Sequence, residues 1–253
     1  MIAELTERER LILDRLSADG SVSVGLLARD LELSEVTIRA DLNVLQKKGW
    51  INRTRGGAAP ALHRDILERQ RIYPERKNAI ARAAAELVRD GDVIMIEAGT
   101  TTALIARYLA GKQDIHIVTN STLVFSYARM YPNLQITMTG GEFRRATESL
   151  VGPIALDTIG RLNVKLAFVG TDGFSQERGM TTHLMEGAEI VKAMKARAET
   201  TVLAADSSKY GKTGFSNVLP LSAMNLILTD DALSDGAETE LREAGINIKR
   251  VRS

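Results

Sequence analysis

The feature that most constrains this chain is a series of short apolar runs through its last two thirds. They are ValIleMetIle at 93–96, IleHisIleVal at 115–118, LeuGlnIleThrMet at 134–138, LeuAlaPheValGly at 166–170, ThrValLeuAlaAla at 201–205 and LeuIleLeu at 226–228. Runs of this length and composition are those of buried parallel strands. Segments of helical spacing lie between them; Ile80, Ala84, Leu87 and Val88, closed by Gly91, make one such face. Strand alternating with helix predicts an α/β domain with a mainly parallel sheet covered on both faces. Ligands bind such sheets at the carboxyl ends of the strands, so the loops leaving these runs are where function is to be sought.

The first third reads differently. Thr6 followed three residues later by Glu9 has the spacing of a capping box, and the helix it opens continues through Leu13 and Leu16 to Gly20. A second short helix is expected from about Gly25 to Leu31. Ser34 is placed to cap a third, with Leu33 and Ile38 at the two positions of a hydrophobic staple. Ile38, Leu42 and Leu45 recur at helical spacing and turn inward, leaving Val36, Thr37, Arg39, Ala40 and Asn43 on the other faces. Gly49 ends that helix, and TrpIleAsnArgThrArgGlyGly reads as a short strand and a tight glycine turn, as a β-wing requires. The expected organisation is a winged helix-turn-helix over 1–57, a partly helical linker over 58–73, and the α/β domain over 74–253, with Pro74 opening its first helix.

At 253 residues and 44% apolar content the chain is long enough to bury a full core in one small and one larger domain. No apolar run approaches the 18 residues of a membrane span, and MIAELTERER lacks the apolar stretch of a leader peptide, so a cytoplasmic protein without a membrane partner is expected. There is no cysteine, and His63, His116 and His183 show no metal-ligand spacing; neither metal nor cofactor is expected. A formal net charge of +1 excludes a globally basic protein that coats nucleic acid. Residues 1–57 carry nine Lys or Arg against nine Asp or Glu, but Lys47, Lys48, Arg53 and Arg55 have no acid among them. Cations therefore gather at one end of the small domain.

A helix capped by Ser34 and exposing Thr37 and Arg39 near its start is shaped to enter a major groove. Arg39 suits a guanine edge, Ser34 and Thr37 suit phosphates, and Lys47 suits the phosphate backbone. Arg53 and Arg55 on the wing add phosphate or minor-groove contacts, and Gly56 and Gly57 let the turn approach closely. Pattern alone leaves open that the small domain is only a protein-interaction module. The segment SerGluValThrIleArgAlaAspLeuAsnValLeuGlnLysLysGly, followed by ArgThrArgGlyGlyAla, resembles the DNA-binding segment of DeoR-family regulators. That resemblance implies DNA contact at Ser34, Thr37 and Arg39 and wing contact at Arg53 and Arg55. Asp41 matches a family position too, and since a carboxylate facing DNA is unfavourable it is expected to orient an arginine.

In the large domain, Glu97, Gly99, Thr100, Thr101 and Thr102 form a loop that leaves a strand and opens a helix, offering backbone N–H groups and three hydroxyls to a phosphate. Thr119, Asn120 and Ser121 end the next strand, and Gly140 and Gly141 the one after, so three polar loops converge on one edge. GlyThrAspGly at 170–173 adds Asp172, and AspSerSerLys at 206–209 adds Lys209, whose alternative is a surface salt bridge with Asp206 or another acid. Arg144 and Arg145 are further cations on a loop.

This series of loops resembles, in the same order, the effector domain of the same family, so the likeness runs from about Thr6 to Val251. It implies a fold similar to ribose-5-phosphate isomerase, a phosphorylated-sugar effector, repression released by that effector, and assembly into dimers or tetramers. One departure is visible: where many relatives carry an asparagine and a glutamate after GlyMetThrThr, this chain has Leu184 and Gly187, with Glu186 as the nearest replacement carboxylate. The expected function is a repressor of a carbohydrate operon that binds duplex operator DNA. The alternative is a phosphosugar isomerase-like enzyme, in which Asp172 or Glu186 moves the proton and Lys209 stabilises the enediolate.

Overall fold

The computed structural model describes residues 5–253; residues 1–4, the start of the segment read above for a leader, and the side chain of Arg64 lie outside that description. The chain forms two compact units that divide between Arg71 and Ile72.

In the first unit, helix α1 spans Glu7–Asp19, strand β1 Val22–Ser23, helix α2 Val24–Asp30 and helix α3 Glu35–Lys47, followed by β2 at Ile51–Thr54, β3 at Gly57–Pro60 and helix α4 at Arg64–Arg71. Each of the first three helices begins where a hydroxyl can satisfy an orphan N–H. Thr6 Oγ1 accepts from Glu9 N while Glu9 Oε2 accepts from Thr6 N, at 3.2 and 2.7 Å. Ser23 caps α2, which moves its start to Val24, and Ser34 caps α3. Ile12, Leu16, Leu27, Ile38, Leu42 and Leu45 are fully buried between the helices, at roughly 1.5–3 kcal/mol of transfer free energy per side chain. The strands form an antiparallel sheet in the order β1-β3-β2.

The stretch 58–73 differs from the expected linker. Its first residues complete the wing, because Ala58 is fully buried and pairs with both Val22 and Arg53. Leu67 of α4 packs into the same core, and the Arg71 guanidinium lies 4.2 Å from the centre of the Trp50 ring. Gly57 also has a different reason from the one expected. A Cβ there would come 2.1 Å from the carbonyl oxygen of Val22, so its missing side chain lets β3 close onto β1.

The second unit opens with helix α5 at Pro74–Glu86 and strand β4 at Val93–Ile96, then α6 at Thr102–Ile105, β5 at Ile115–Thr119, α7 at Thr122–Ala128 and β6 at Leu134–Met138. A hairpin of β7 (Glu142–Arg144) and β8 (Ser149–Val151) precedes α8 at Pro153–Gly160 and β9 at Val164–Val169. Next come β10 (Gly173–Ser175), β11 (Gly179–Thr182), α9 (Met185–Arg197), β12 (Ala198–Ala204), β13 (Ser216–Asn217), β14 (Leu226–Asp230), α10 (Asp235–Glu243) and β15 (Ile248–Val251). The main sheet has seven strands, all parallel, in the order β15-β14-β12-β9-β4-β5-β6. Six of them are the apolar runs of the sequence, as the expected mainly parallel α/β domain requires; β15 is the seventh.

Alternation along the strands sends Met95, Val118 and Ala167 to one face, against Ala155 and Ile159 of α8 and Ile190 and Met194 of α9. Helix α5 packs on β12 and β14 from the other face, with α6 and α7 beside it. Chain order proceeds from β4 through β5 to β6, then resumes at β9 on the opposite side of β4. The carboxyl ends of β4 and β9 therefore flank the topological switch point, where open α/β sheets bind ligands. No helix among the described residues is long and apolar enough to cross a membrane.

Candidate functional site

The first unit gathers its candidates onto α3 and the wing. Ser34 Oγ accepts the Thr37 N–H at 3.1 Å and lies 2.8 Å from the Thr37 hydroxyl, so both side chains already serve the helix start. Arg39 is exposed and its Nη2 donates to Glu35 Oε2 at 3.1 Å, an i,i+4 pair of the kind that exchanges readily for another anion. Lys47 and Arg55 are exposed. Arg53 Nη1 is 3.5 Å from Asn43 Oδ1, which brings the wing strand beside the outer face of α3.

Lys48 parts company with its neighbours in the acid-free run. Its ammonium donates to both carboxylate oxygens of Glu9, at 2.8 and 2.9 Å, so an acid distant in sequence neutralises it. Burial pushes the Glu9 carboxyl up, but the Lys48 ammonium and the Thr6 N–H outweigh it and hold the group below its ordinary value of 4.5. Asp41 is buried on the core side of α3 and takes a bidentate pair from Arg8, at 2.7 and 2.8 Å. The arginine it was expected to orient thus lies on α1.

In the second unit, the loop after β4 is braced to the loop after β9: Gly170 N donates to Glu97 Oε2 at 3.0 Å, across the switch point. Thr102 Oγ1 donates to the Glu97 carbonyl at 2.7 Å, and Thr119 Oγ1 to the Ile96 carbonyl at 2.6 Å. Asn120 accepts from Ala98 N at 3.0 Å and donates to the Leu150 carbonyl at 3.1 Å, and Ser121 caps α7 by accepting from Val124 N at 3.2 Å. Thr102, Thr119, Asn120 and Ser121 are all buried, and these polar side chains are engaged within the protein. They shape the loops.

What remains for a ligand lies mostly in the backbone. Helix α6 starts at Thr102 with no side-chain cap, and among the described residues the N–H groups of Gly99, Thr100 and Thr101 make no hydrogen bond. Gly141, at φ +114°, is held against the Val151 carbonyl oxygen, which an added Cβ would approach to 2.5 Å; Gly140 beside it is half-buried. Asp172 Oδ2 accepts from the Thr182 hydroxyl and the His183 N–H, both at 2.9 Å. Glu186 accepts from Arg144 Nη2 at 2.8 Å, and its own backbone N–H together with that guanidinium holds its carboxyl below the usual range. Asp172 and Glu186 are thus each held by hydrogen bonds within the protein.

Lys209 ends a 3-10 turn, Ser207–Lys209, at the carboxyl end of β12. Asp206 accepts from Ser208 N at 3.2 Å and from the Ser208 hydroxyl, while Lys209, half-buried, makes no ion pair among the described residues. The expected alternative, a bridge to Asp206, is not formed.

Sequence reasoning missed the group that holds this turn. Asp230, fully buried at the end of β14, accepts from Ser207 N at 2.6 Å, Ser207 Oγ at 2.8 Å and Ala232 N at 3.2 Å, and lies 3.6 Å from Arg76 Nε. A carboxylate at the carboxyl end of a strand was the available signal. Tyr210, next along the chain, donates to Glu240 Oε2 at 2.7 Å; burial and that carboxylate push its phenol up to about 12.

Comparison with known proteins follows the same division. Residues 8–61 match the DeoR-like helix-turn-helix domain and residues 73–231 the DeoR C terminal sensor domain. The HTH-type transcriptional regulator GlpR of Haloferax volcanii is 34% identical over 249 residues, covering 96% of each chain. A protein of Escherichia coli O157:H7, provisionally named as an aga operon transcriptional repressor, is 30% identical over 249 residues, covering 96% of this chain and 93% of that one. Among solved structures, ribose 5-phosphate isomerase A of Methanocaldococcus jannaschii superposes on 54% of each chain at 21% identity with a TM-score of 0.40.

Proposed function

Because this chain belongs to the DeoR family of transcriptional regulators, we propose that it represses a carbohydrate-utilisation operon and leaves its operator when a phosphorylated sugar binds at the carboxyl ends of β4, β9 and β12. The observation that carries the sensing half is the uncapped start of α6. Among the described residues the N–H groups of Gly99, Thr100 and Thr101 make no hydrogen bond and Lys209 makes no ion pair, and both lie at the carboxyl end of the sheet, where its switch point is. Anions bind such N–H groups, and an ammonium adds the charge. Under this reading Gly141, packed against the Val151 carbonyl, and Gly140 beside it let the loop after β6 turn at the edge of the pocket, while Glu97, Thr102, Thr119, Asn120 and Ser121 keep the neighbouring loops in place. Asp172 and Glu186 sit at the sugar end.

For the DNA half, α3 enters the major groove and Arg39 reads a base edge, with Lys47, Arg53 and Arg55 on phosphates. Paired reading heads in a dimer or tetramer engage repeated half-sites. The effector must bind the two states unequally, since a ligand with equal affinity for both shifts nothing.

Footprinting on the promoter region next to the gene tests both halves, with ribose 5-phosphate, fructose 1-phosphate and glucosamine 6-phosphate as probes. Protection released by one of them, and restored by Lys209→Ala, is the expected result. Protection that ignores every sugar phosphate would sink the sensing half, and no protection at all would sink the whole.

A further inference from the structure

We propose that Val36 selects a thymine by its C5 methyl group, and that it rather than Arg39 occupies the centre of the reading face. The proposal rests on the DNA-binding reading above and adds a determinant to it.

At 100° per residue, the buried side of α3, which carries Ile38, Leu42 and Leu45, sets the middle of the opposite side at Val36, Ala40, Asn43 and Lys47. All four are exposed, Val36 at 78%. Arg39 lies about a quarter-turn from Ile38 and is held back along the helix by Glu35. Ser34 and Thr37 are tied to each other at the cap. The first two turns of α3 therefore point a branched apolar side chain and the Ala40 methyl outward, with their polar neighbours at the margins.

Folding gives no account of Val36. A β-branched side chain loses rotamer freedom in a helix, and one this exposed recovers nothing from burial. An apolar protein partner is disfavoured by the cations on and beside the face: Lys47 lies on it, Arg39 at its margin, and Arg53 reaches it through Asn43. Such cations fit a polyanion. In a major groove the apolar group offered to a side chain is the thymine methyl.

The test uses the full-length chain and a duplex it selects itself from a random pool. Each thymine of that duplex is then replaced by deoxyuridine, which removes the methyl and nothing else. For the wild-type chain, one or two positions in each half-site should weaken binding by about twofold to fourfold, the upper figure being the roughly 0.8 kcal/mol of one buried methyl group. Val36→Ser should bind the thymine duplex more weakly by a similar factor, lose the difference between thymine and uracil at those positions, and melt at the wild-type temperature. Uracil without effect everywhere, or a Val36→Ser protein that still distinguishes the two bases, overturns the proposal and leaves the DNA-binding reading standing. Failure to select any duplex removes both.

Discussion

Charge by itself says little about which side chains of this protein can meet a partner; their bonding decides. Lys47 and Lys48 are adjacent in sequence, yet Lys47 is exposed and Lys48 is neutralised by Glu9. Arg39→Ala is expected to cost roughly 1–3 kcal/mol of operator affinity and relax preference at one base pair, as read by binding assays on single-base operator variants. Lys47→Ala or Arg55→Ala should instead weaken all sequences alike and lower the slope of log affinity against log salt by about one contact. Asp230 is the corresponding residue of the second unit. Asp230→Ala removes a fully buried acceptor and leaves the Ser207 and Ala232 N–H groups and the Ser207 hydroxyl without their partner, and should cost about 3 kcal/mol in chemical denaturation. It should also loosen the turn that carries Lys209.

Among the elements, α1 and α3 are clasped twice, by Arg8 to Asp41 and by Lys48 to Glu9. The second clasp has a pH signature. The folded Glu9 carboxyl ionises below its unfolded counterpart, so its contribution is complete above 4.5 and drains away as pH falls below that value. The Trp50 emission of the first unit should therefore melt at falling temperatures as the pH is lowered through this range, and Glu9→Gln should flatten the dependence. A wild-type melting temperature indifferent to pH between 5 and 3 would falsify the clasp. The same scale explains what periodicity missed. β1 has two residues, and the strands β7, β8, β10, β11 and β13 have two to four, too short for any period to register. β15, IleLysArgVal, pairs only with β14 at the sheet's edge, where Lys249 is exposed, so it lacks the apolar run of an interior strand.

For the molecule as a whole, the useful fact is that its chromophores are sorted. Trp50, the single tryptophan, lies in the first unit, and the five tyrosines, Tyr73, Tyr108, Tyr127, Tyr131 and Tyr210, all lie in the second. Each unit has its own buried core, so tryptophan emission and tyrosine absorbance should report separate transitions. A sugar phosphate present at 100 times its dissociation constant should add about 2.7 kcal/mol to the tyrosine transition, with no direct contribution to the tryptophan one. A ligand that raised only the tryptophan transition would place the effector in the wrong unit.

Local chemistry in the sequence determined the two-part organisation, the starts of α1 and α3, and six of the seven strands of the sheet. Hydroxyl caps, apolar periodicity and glycine stops act over a few residues, so they can be read a few residues at a time. Partners distant along the chain were decided only by the tertiary structure. Gly170 on Glu97, Asp230 beneath Ser207, Glu9 on Lys48 and Leu67 in the first core join residues from 23 to 73 positions apart or elements from opposite ends of a unit. Which hydroxyls stay available to a ligand and which become struts follows from those pairings, because a buried polar group must bond to whatever the fold brings within reach.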